Sequence, residues 1–168
     1  MLKDIADKVI TPAYALLPAG MRSREATVLL LAIGLQESAF KYRRQIKGPA
    51  RSFWQFEFGG GFRGVQLHGS TAKHAEKLAF DRGYASLNPR EQFDCMELDD
   101  VFAAGMARLL LWTDSKALPA LDRPDDAFDY YLRNWRPGAY TRGTPEQRAE
   151  IRSRWLKNYA LAMKEVVA

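Results

Sequence analysis

The feature that most constrains this chain is an apolar stretch of eight residues, Val28 to Leu35, which is followed closely by Glu37. A helix with apolar residues on every side must be surrounded by other elements, because a surface helix keeps one polar face. The stretch falls well short of the about 20 residues that a membrane-spanning helix requires. We therefore predict no membrane span and expect this stretch to form the central helix of a folded domain.

Helix signals lie on both sides of this stretch. Ser23 is a suitable N-cap for the central helix, which we expect to end near Ser38. The clearest signal is Thr144, Pro145 and Gln147, which provide an N-cap, a proline at the first helical position and a capping box. They predict a last helix over about 146–165. Apolar periodicity and turn residues predict further helices over about 2–17, 71–82, 98–112 and 125–134.

The segment 48–64 has a different composition. Glycines at 48, 59, 60, 61 and 64 flank the aromatic run Phe53-Trp54-Gln55-Phe56-Glu57-Phe58. Aromatic density between glycines is typical of a short strand or hairpin. Since the chain has no internal repeat and no linker-like segment, we predict one domain over 1–168. It should be mainly α, of the α+β kind, with a buried central helix and a small β-hairpin element.

Glu37 is the candidate catalytic residue. It lies on one helix face with Leu30 and Ile33, so its carboxyl group projects from a face that is otherwise core. Burial and the nearby carboxyl end of the helix both favour the neutral acid, so we expect a raised pKa and general-acid chemistry. The alternative is that Glu37 turns to solvent or pairs with Arg43 or Arg44.

Three short stretches carry a resemblance to a known family. The first two resemble the Glu-Ser and Gly-x-x-Gly-aliphatic-x-Gln motifs of lytic transglycosylases of the lysozyme-like superfamily, in versions encoded by phages and prophages. The third is similar to the Asn-Ala-Gly-x-Gly part of that family's third motif. The stretches are Gln36-Glu37-Ser38-Ala39-Phe40, Gly48-Pro49-Ala50-Arg51-Ser52-Phe53-Trp54-Gln55 and Asn134-Trp135-Arg136-Pro137-Gly138. The resemblance covers about 26–138.

This resemblance implies a lysozyme-like fold and a lytic transglycosylase that cleaves peptidoglycan without a cofactor or a metal. Glu37 would be the sole acid/base at the bond between N-acetylmuramic acid and N-acetylglucosamine, and the products would carry 1,6-anhydro ends. Gln55 would line the sugar groove, and Asn134 would position the substrate near Glu37. The other candidate substrate-binding residues are Ser38, Trp54, Glu57, Tyr130, Tyr131 and Trp135, with Tyr140 as a further aromatic side chain.

Two positions depart from the family pattern. Ser52 stands where glycine is usual, and Arg133 precedes Asn134 where tyrosine is usual. Tyr130 or Tyr131, one helical turn earlier, is a candidate for that phenol. The departures motivate one alternative, a non-catalytic virion or cell-wall-binding module that keeps the lysozyme-like fold.

A second alternative is a lysozyme-type hydrolase. Such an enzyme needs a second carboxylate about 5–9.5 Å from the first. If 53–58 is extended, Gln55 and Glu57 share one face of the strand, so Glu57 is the best candidate. Otherwise Glu57 is a solvated glutamate at a strand edge.

The net charge of +5 and the pI near 9.4 suggest an anionic partner, such as a cell-wall polymer. The basic residues are scattered and form no long run, so we do not expect nucleic acid as the partner. The expected partners are peptidoglycan glycan strands and, by the resemblance, phage particle proteins. Lys3, Asp4, Asp7 and Lys8 interrupt any signal-peptide core. We therefore expect no signal peptide, and the resemblance then implies a virion-associated protein, or one made in the host cytoplasm and delivered to the periplasm or cell wall.

Other patterns are given little weight. The run 59–64 matches the Gly-x-Gly-x-x-Gly pattern of dinucleotide sites, but no strand–helix–strand unit surrounds it, and we interpret it as a loop at the edge of the groove. His68 and His74 lack zinc-site spacing, and Cys95 is the only cysteine.

Overall fold

The computed structural model describes residues 1–167 and is mainly helical, which confirms the mainly α part of the prediction. The chain begins with α1 (Leu2–Ile5), a π-helical stretch (Ala6–Ile10) and α2 (Thr11–Ala15), which continue one another before a 3-10 turn (Ala19–Met21). The later helices are α3 (Arg24–Ser38), α4 (Arg63–Leu67), α5 (Ala72–Asp81), α6 (Pro89–Cys95), α7 (Asp100–Trp112), α8 (Pro124–Trp135), α9 (Gly138–Thr141) and α10 (Pro145–Val167). Within 1–167, no helix combines the length and apolar character needed to cross a membrane.

Local capping explains where several helices begin. The Ser23 hydroxyl accepts a 3.0 Å hydrogen bond from the backbone N–H of Ala26, so α3 begins where its N-cap predicts. Thr144 and Gln147 exchange hydrogen bonds between side chain and backbone at the start of α10, which confirms the predicted capping box. A second capping box, between Asn88 and Glu91, begins the short helix α6, which the sequence analysis did not predict.

Helix α3 lies at the centre of the molecule. Every side chain from Val28 to Gln36 is buried, and α3 packs against α10, α7 and α8. The Gln36 amide joins α3 to α10, because it donates to the carbonyl of Ile151 at 3.3 Å and accepts from Asn158 at 2.8 Å. These paired bonds fix the rotation of α3 about its own axis just before Glu37.

Close packing around Gly34 shapes the carboxyl end of α3. The aromatic ring of Phe40 lies against Gly34, and a Cβ atom at this position would collide with the ring. The helix ends at Ala39, whose φ of 53° is left-handed, and Phe40 continues in the same region with φ of 54°. The chain thereby folds back over the last turn of α3.

The strand or hairpin predicted within 48–64 is not formed, and residues 1–167 contain no strand. Arg51 makes isolated antiparallel bridges to Arg44 and to Phe56, and 52–55 form a turn between the two bridged positions. Ser52 and Gln55 have φ of 70° and 51°, and a left-handed backbone cannot continue an extended strand. The aromatic run therefore reverses direction and then enters a π-helical stretch (Phe58–Phe62).

Candidate active site

A groove of about 830 Å³ opens at the carboxyl end of α3. Its lining comes from Glu37, from residues within 42–68, from α7 and from 133–139. Besides Glu37, four residues predicted from the sequence line this groove: Gln55, Glu57, Asn134 and Trp135. The fold thus gathers candidate residues from three distant parts of the chain around one carboxyl group.

Glu37 occupies the last turn of α3 and is only partly accessible to solvent. Burial raises the pKa of its carboxyl group from the ordinary 4.5 to about 7. The hydrogen bond from Tyr131 and the positive charge of Arg154 act in the opposite direction, but burial outweighs both. A large fraction of the Glu37 side chains is therefore protonated near neutral pH, as a general acid requires.

Glu37 does not pair with the arginines that follow it in the sequence. Arg43 makes two hydrogen bonds to Asp100, and Arg44 makes a salt bridge of 2.8 Å to Glu97. These pairs join the segment after α3 to the start of α7. The expected alternative, an ion pair between Glu37 and Arg43 or Arg44, is therefore not present.

Tyr131 fixes one oxygen of the Glu37 carboxyl group. Its hydroxyl donates a hydrogen bond of 2.5 Å to Oε1 of Glu37. Burial, followed by the effect of Glu37, raises the pKa of Tyr131 well above 10, so the phenol remains a donor. The ring is stacked on Trp155 of α10, with centroids 4.9 Å apart and planes inclined by 11°. Tyr131 thus engages Oε1, whereas no hydrogen bond from the described residues engages the other carboxyl oxygen, Oε2.

Gln55 and Glu57 both line the groove, although the strand expected to place them there is absent. Gln55 ends the turn 52–55, where its amide nitrogen donates to the Ser52 carbonyl at 2.7 Å. Glu57 follows in an extended conformation and is exposed. Among the groove-lining residues within 1–167, Glu57 is the only carboxylate other than Glu37.

Asn134 and Trp135 lie at the carboxyl end of α8. The Asn134 amide nitrogen donates to Asp114 at 2.9 Å and to the Tyr130 carbonyl at 2.8 Å, which fixes the orientation of the side chain. Asp114 also accepts from Arg133 at 2.8 Å. Trp135 is half-buried, and its indole nitrogen donates to the Trp54 carbonyl at 2.8 Å. Both residues present fixed side chains to the groove.

Three residues predicted to bind substrate are instead part of the core: Ser38, Trp54 and Tyr130. Trp54 is fully buried, and its indole nitrogen donates to the Leu30 carbonyl of α3 at 2.9 Å. The Ser38 hydroxyl donates to the Phe53 carbonyl at 2.7 Å. The Tyr130 hydroxyl donates to the Leu111 carbonyl at 2.8 Å. Since none of the three lines the groove, their assignment as substrate-binding residues is corrected to a packing role. Tyr131, also predicted to bind substrate, is likewise buried and does not line the groove, so its contact is with Glu37 instead.

Ser52, one of the two departures from the family pattern, adopts a backbone conformation that is unfavourable for serine. Its φ of 70° lies in the left-handed region, which favours glycine. The serine partly offsets this cost, because its buried hydroxyl accepts a 3.2 Å hydrogen bond from the backbone N–H of Trp54. The turn that places Gln55 is thus formed without the glycine.

Sequence reasoning missed part of the groove lining. Tyr42 and Ile46 are exposed and line the groove. They were not predicted, because isolated apolar residues in a polar segment form no recognisable motif. Gly59, Gly60 and Gly61 also line it, at the edge where a loop was expected. They lie in the π-helical stretch, which is kinked at Gly60, where φ of −98° and ψ of −109° are non-helical. Arg154, whose positive charge lowers the pKa of Glu37, lies on α10. The sequence did not distinguish it from the many other basic residues.

Comparison of the chain with protein-family models, with curated proteins and with solved structures found no match.

Proposed function

We propose that this protein is a lytic transglycosylase that cleaves the glycan strands of bacterial peptidoglycan, with Glu37 as its acid/base catalyst. The observation that carries the proposal is a carboxyl group with a pKa of about 7 on the lining of an open groove. The motif resemblance supports the same assignment. The proposal includes a lysozyme-like fold. A helical domain with such a glutamate at the end of its central helix fits that fold.

The reaction needs only one carboxyl group. Glu37 donates its proton to the oxygen between N-acetylmuramic acid and N-acetylglucosamine as the bond from that oxygen to C1 of the muramoyl ring breaks. The carboxylate then accepts the proton of the C6 hydroxyl, whose oxygen forms the new bond to C1. The substrate's acetamido group stabilises the intermediate positive charge, as in other substrate-assisted glycosidases. Glu37 is protonated again at the end, so the cycle is complete.

The groove offers the contacts that a sugar chain requires. Carbohydrate sites combine flat apolar faces with a few fixed polar groups. Trp135 and Tyr42 supply partly exposed rings, and Gln55 and Asn134 supply amides that other hydrogen bonds hold in place. A volume of about 830 Å³ suits several sugar rings.

A hydrolase is the second candidate, and the position of Glu57 favours it. Glu57 shares the groove with Glu37 and is exposed, so it is available to activate water or to act as a nucleophile. Under this reading, cleavage leaves reducing ends, and Glu57 is essential. A non-catalytic wall-binding module would bind the glycan without cleaving it.

Mass spectrometry of the products from purified peptidoglycan tests these candidates. We expect 1,6-anhydro ends from the wild type and from Glu57→Gln, and no products from Glu37→Gln. Glu76→Gln, which changes an exposed glutamate of α5, is the matched control and should behave as the wild type. Reducing ends that disappear in Glu57→Gln would establish the hydrolase instead. Equal product yields from the wild type and Glu37→Gln would exclude Glu37 as the catalyst.

Delivery of the protein to the cell wall is also part of the proposal. A phage particle component that acts at entry, or a lysin released from the host cytoplasm, would bring the enzyme to peptidoglycan. Detection of the chain in purified virions by mass spectrometry would support the first route.

A further inference from the structure

Two guanidinium groups, one on the groove lining and one beside it, have no acidic partner within residues 1–167. Arg136 lines the groove, and within residues 1–167 it forms no salt bridge. Arg142 likewise forms none, and its guanidinium group lies against Gly138, another groove-lining residue. A Cβ atom at Gly138 would collide with this group, so Arg142 lies directly beside a groove-lining residue although it is not part of the lining itself. We call Arg136 and Arg142 the arginine pair.

The neighbouring basic residues are already engaged. Arg133 is paired with the buried side chain of Asp114 at 2.8 Å. Arg148 donates to the carbonyls of Tyr140 and Thr141 at the end of α9, at 2.9 and 3.0 Å. The arginine pair differs from both, because the only side-chain hydrogen bond that the two residues donate to the described residues is a long one, 3.5 Å, from Arg136 to the Arg133 carbonyl.

The backbone holds Arg136 at its place. It is the C-cap of α8 with φ of 48° and ψ of 54°, and Pro137 follows it with a fixed φ of −63°. A non-glycine residue in this left-handed conformation costs about 1 kcal/mol or more. The guanidinium group is therefore presented at the end of a helix whose preceding residues, Asn134 and Trp135, line the same groove.

We infer that the arginine pair binds carboxylates of the peptide stems on peptidoglycan, so that the groove selects glycan strands that still carry their peptides. This inference rests on the proposed function. The glycan backbone of chitin has no anionic group, whereas each stem peptide of peptidoglycan brings free carboxylates next to the sugar chain. Arginine suits this role because its planar guanidinium group binds a carboxylate through two parallel hydrogen bonds.

The test compares two soluble substrates made from the same glycan strands. One keeps its stem peptides. The other has lost them to an amidase, and the lactyl carboxylates that this hydrolysis leaves on the glycan are then capped as methylamides, so that the strand carries no carboxylate; both are free of phosphate-containing wall polymers. The wild type should cleave the peptide-bearing strands faster by roughly five- to tenfold, the range expected for two exposed charge pairs. This preference should decrease at high salt, because salt screens exposed charges.

The deciding variant is Arg136→Gln combined with Arg142→Gln. It should lower the ratio of the two cleavage rates towards one. Arg123→Gln combined with Arg152→Gln is the matched control, because both arginines are exposed and pair with acids at the start of α8, and it should keep the wild-type ratio. A wild type without preference, or a double variant with the wild-type ratio, would overturn the inference.

A binding measurement separates this inference from the proposed function. Calorimetric titration of the wild type with each type of strand should show tighter binding of the peptide-bearing strands, and the deciding variant should lose the difference. If neither strand is cleaved but this difference in binding is present, the proposed function fails and the inference stands. If both strands are cleaved and bound equally, the inference fails and the proposed function stands.

Discussion

The Tyr131 hydroxyl donates a 2.5 Å hydrogen bond to Oε1 of Glu37, so α8 holds the carboxyl group that ends α3. Tyr131 is itself held by stacking on Trp155 of α10. The orientation of Glu37 therefore depends on side chains from three helices. Tyr131 is a positioning residue in this arrangement, since it acts on the substrate only through Glu37.

Replacement of Tyr131 by phenylalanine should change the pH profile as well as the rate. The hydrogen bond from Tyr131 lowers the pKa of Glu37, so its loss should raise that pKa further above 7. Because the proposed reaction starts from protonated Glu37, activity should fall as the pH rises through this pKa. The alkaline limb of the profile should move to higher pH, and the maximal rate should fall roughly tenfold.

The matched control for this experiment is Tyr159→Phe. The Tyr159 hydroxyl donates to the Leu121 carbonyl at 3.1 Å, and Tyr159 does not line the groove. This variant should keep the wild-type pH profile even if it is less stable. An unchanged alkaline limb in Tyr131→Phe would show that the hydrogen bond does not tune Glu37.

Replacement of Glu37 by glutamine should alter how stability depends on pH. In the folded protein the pKa is about 7, against 4.5 for the ordinary group, so the folded state binds the proton more tightly. The free energy of unfolding should therefore decrease as the pH rises from about 4.5 to about 7. The difference of 2.5 pH units (7 minus 4.5) corresponds to roughly 3 kcal/mol.

The Glu37→Gln variant lacks this titration and should show a flatter pH dependence than the wild type, with greater stability than the wild type above pH 7. Urea unfolding followed at several pH values between about 4 and 8 measures the difference. Glu76→Gln should retain the wild-type dependence. Parallel curves for the wild type and Glu37→Gln would contradict a raised pKa.

Substitution of Gly34 by alanine should destabilise the protein and disturb the site. The added methyl group would collide with the Phe40 ring, and overpacking of this kind costs about 1–3 kcal/mol. The better helix propensity of alanine returns only about 1 kcal/mol. Thermal unfolding should show the loss. Gly20→Ala, where a methyl group would meet no atom within 4 Å, is the control and should not be destabilised by a collision.

The two tryptophans Trp54 and Trp135 should respond differently to replacement by phenylalanine. Trp54→Phe removes a buried indole and its hydrogen bond to the Leu30 carbonyl, so stability should fall by about 1–3 kcal/mol with little change in KM. Trp135→Phe should raise KM for glycan strands several-fold, because the indole lines the groove. Kinetics and urea unfolding of both variants measure this. A larger KM effect at Trp54 would contradict the assigned positions.

The sequence predicted the elements that depend on local or strongly periodic signals. Ser23 and Thr144 cap their helices as expected, and the apolar stretch from Val28 to Leu35 forms the central helix. The raised pKa of Glu37 follows from the same reasoning, since burial of a carboxyl group without an ion-pair partner favours its neutral form. The Asn88 capping box was equally readable in the sequence, but its helix was missed because α6 is short.

Features that depend on tertiary contacts were not predictable. Ser52 and Gln55 adopt left-handed conformations without glycine, so the aromatic run gave a strand signal where the chain forms a turn. Nothing in the sequence distinguishes Trp54 from Trp135, because the difference lies in which of them meets α3. Tyr131 could be proposed as a phenol near the site, but only the packing of α8 and α10 places its hydroxyl on Glu37.

The hydrogen bonds of the Gln36 amide make the orientation of Glu37 sensitive to substitutions in α10. Its two hydrogen bonds to Ile151 and Asn158 set the direction in which the next side chain, Glu37, leaves the helix axis. A substitution at Asn158, which does not line the groove, should thus change the orientation of the Glu37 carboxyl group. Variants of this kind in α10 would lose activity because the Glu37 carboxyl group is misoriented, while the protein remains folded and still binds its ligand.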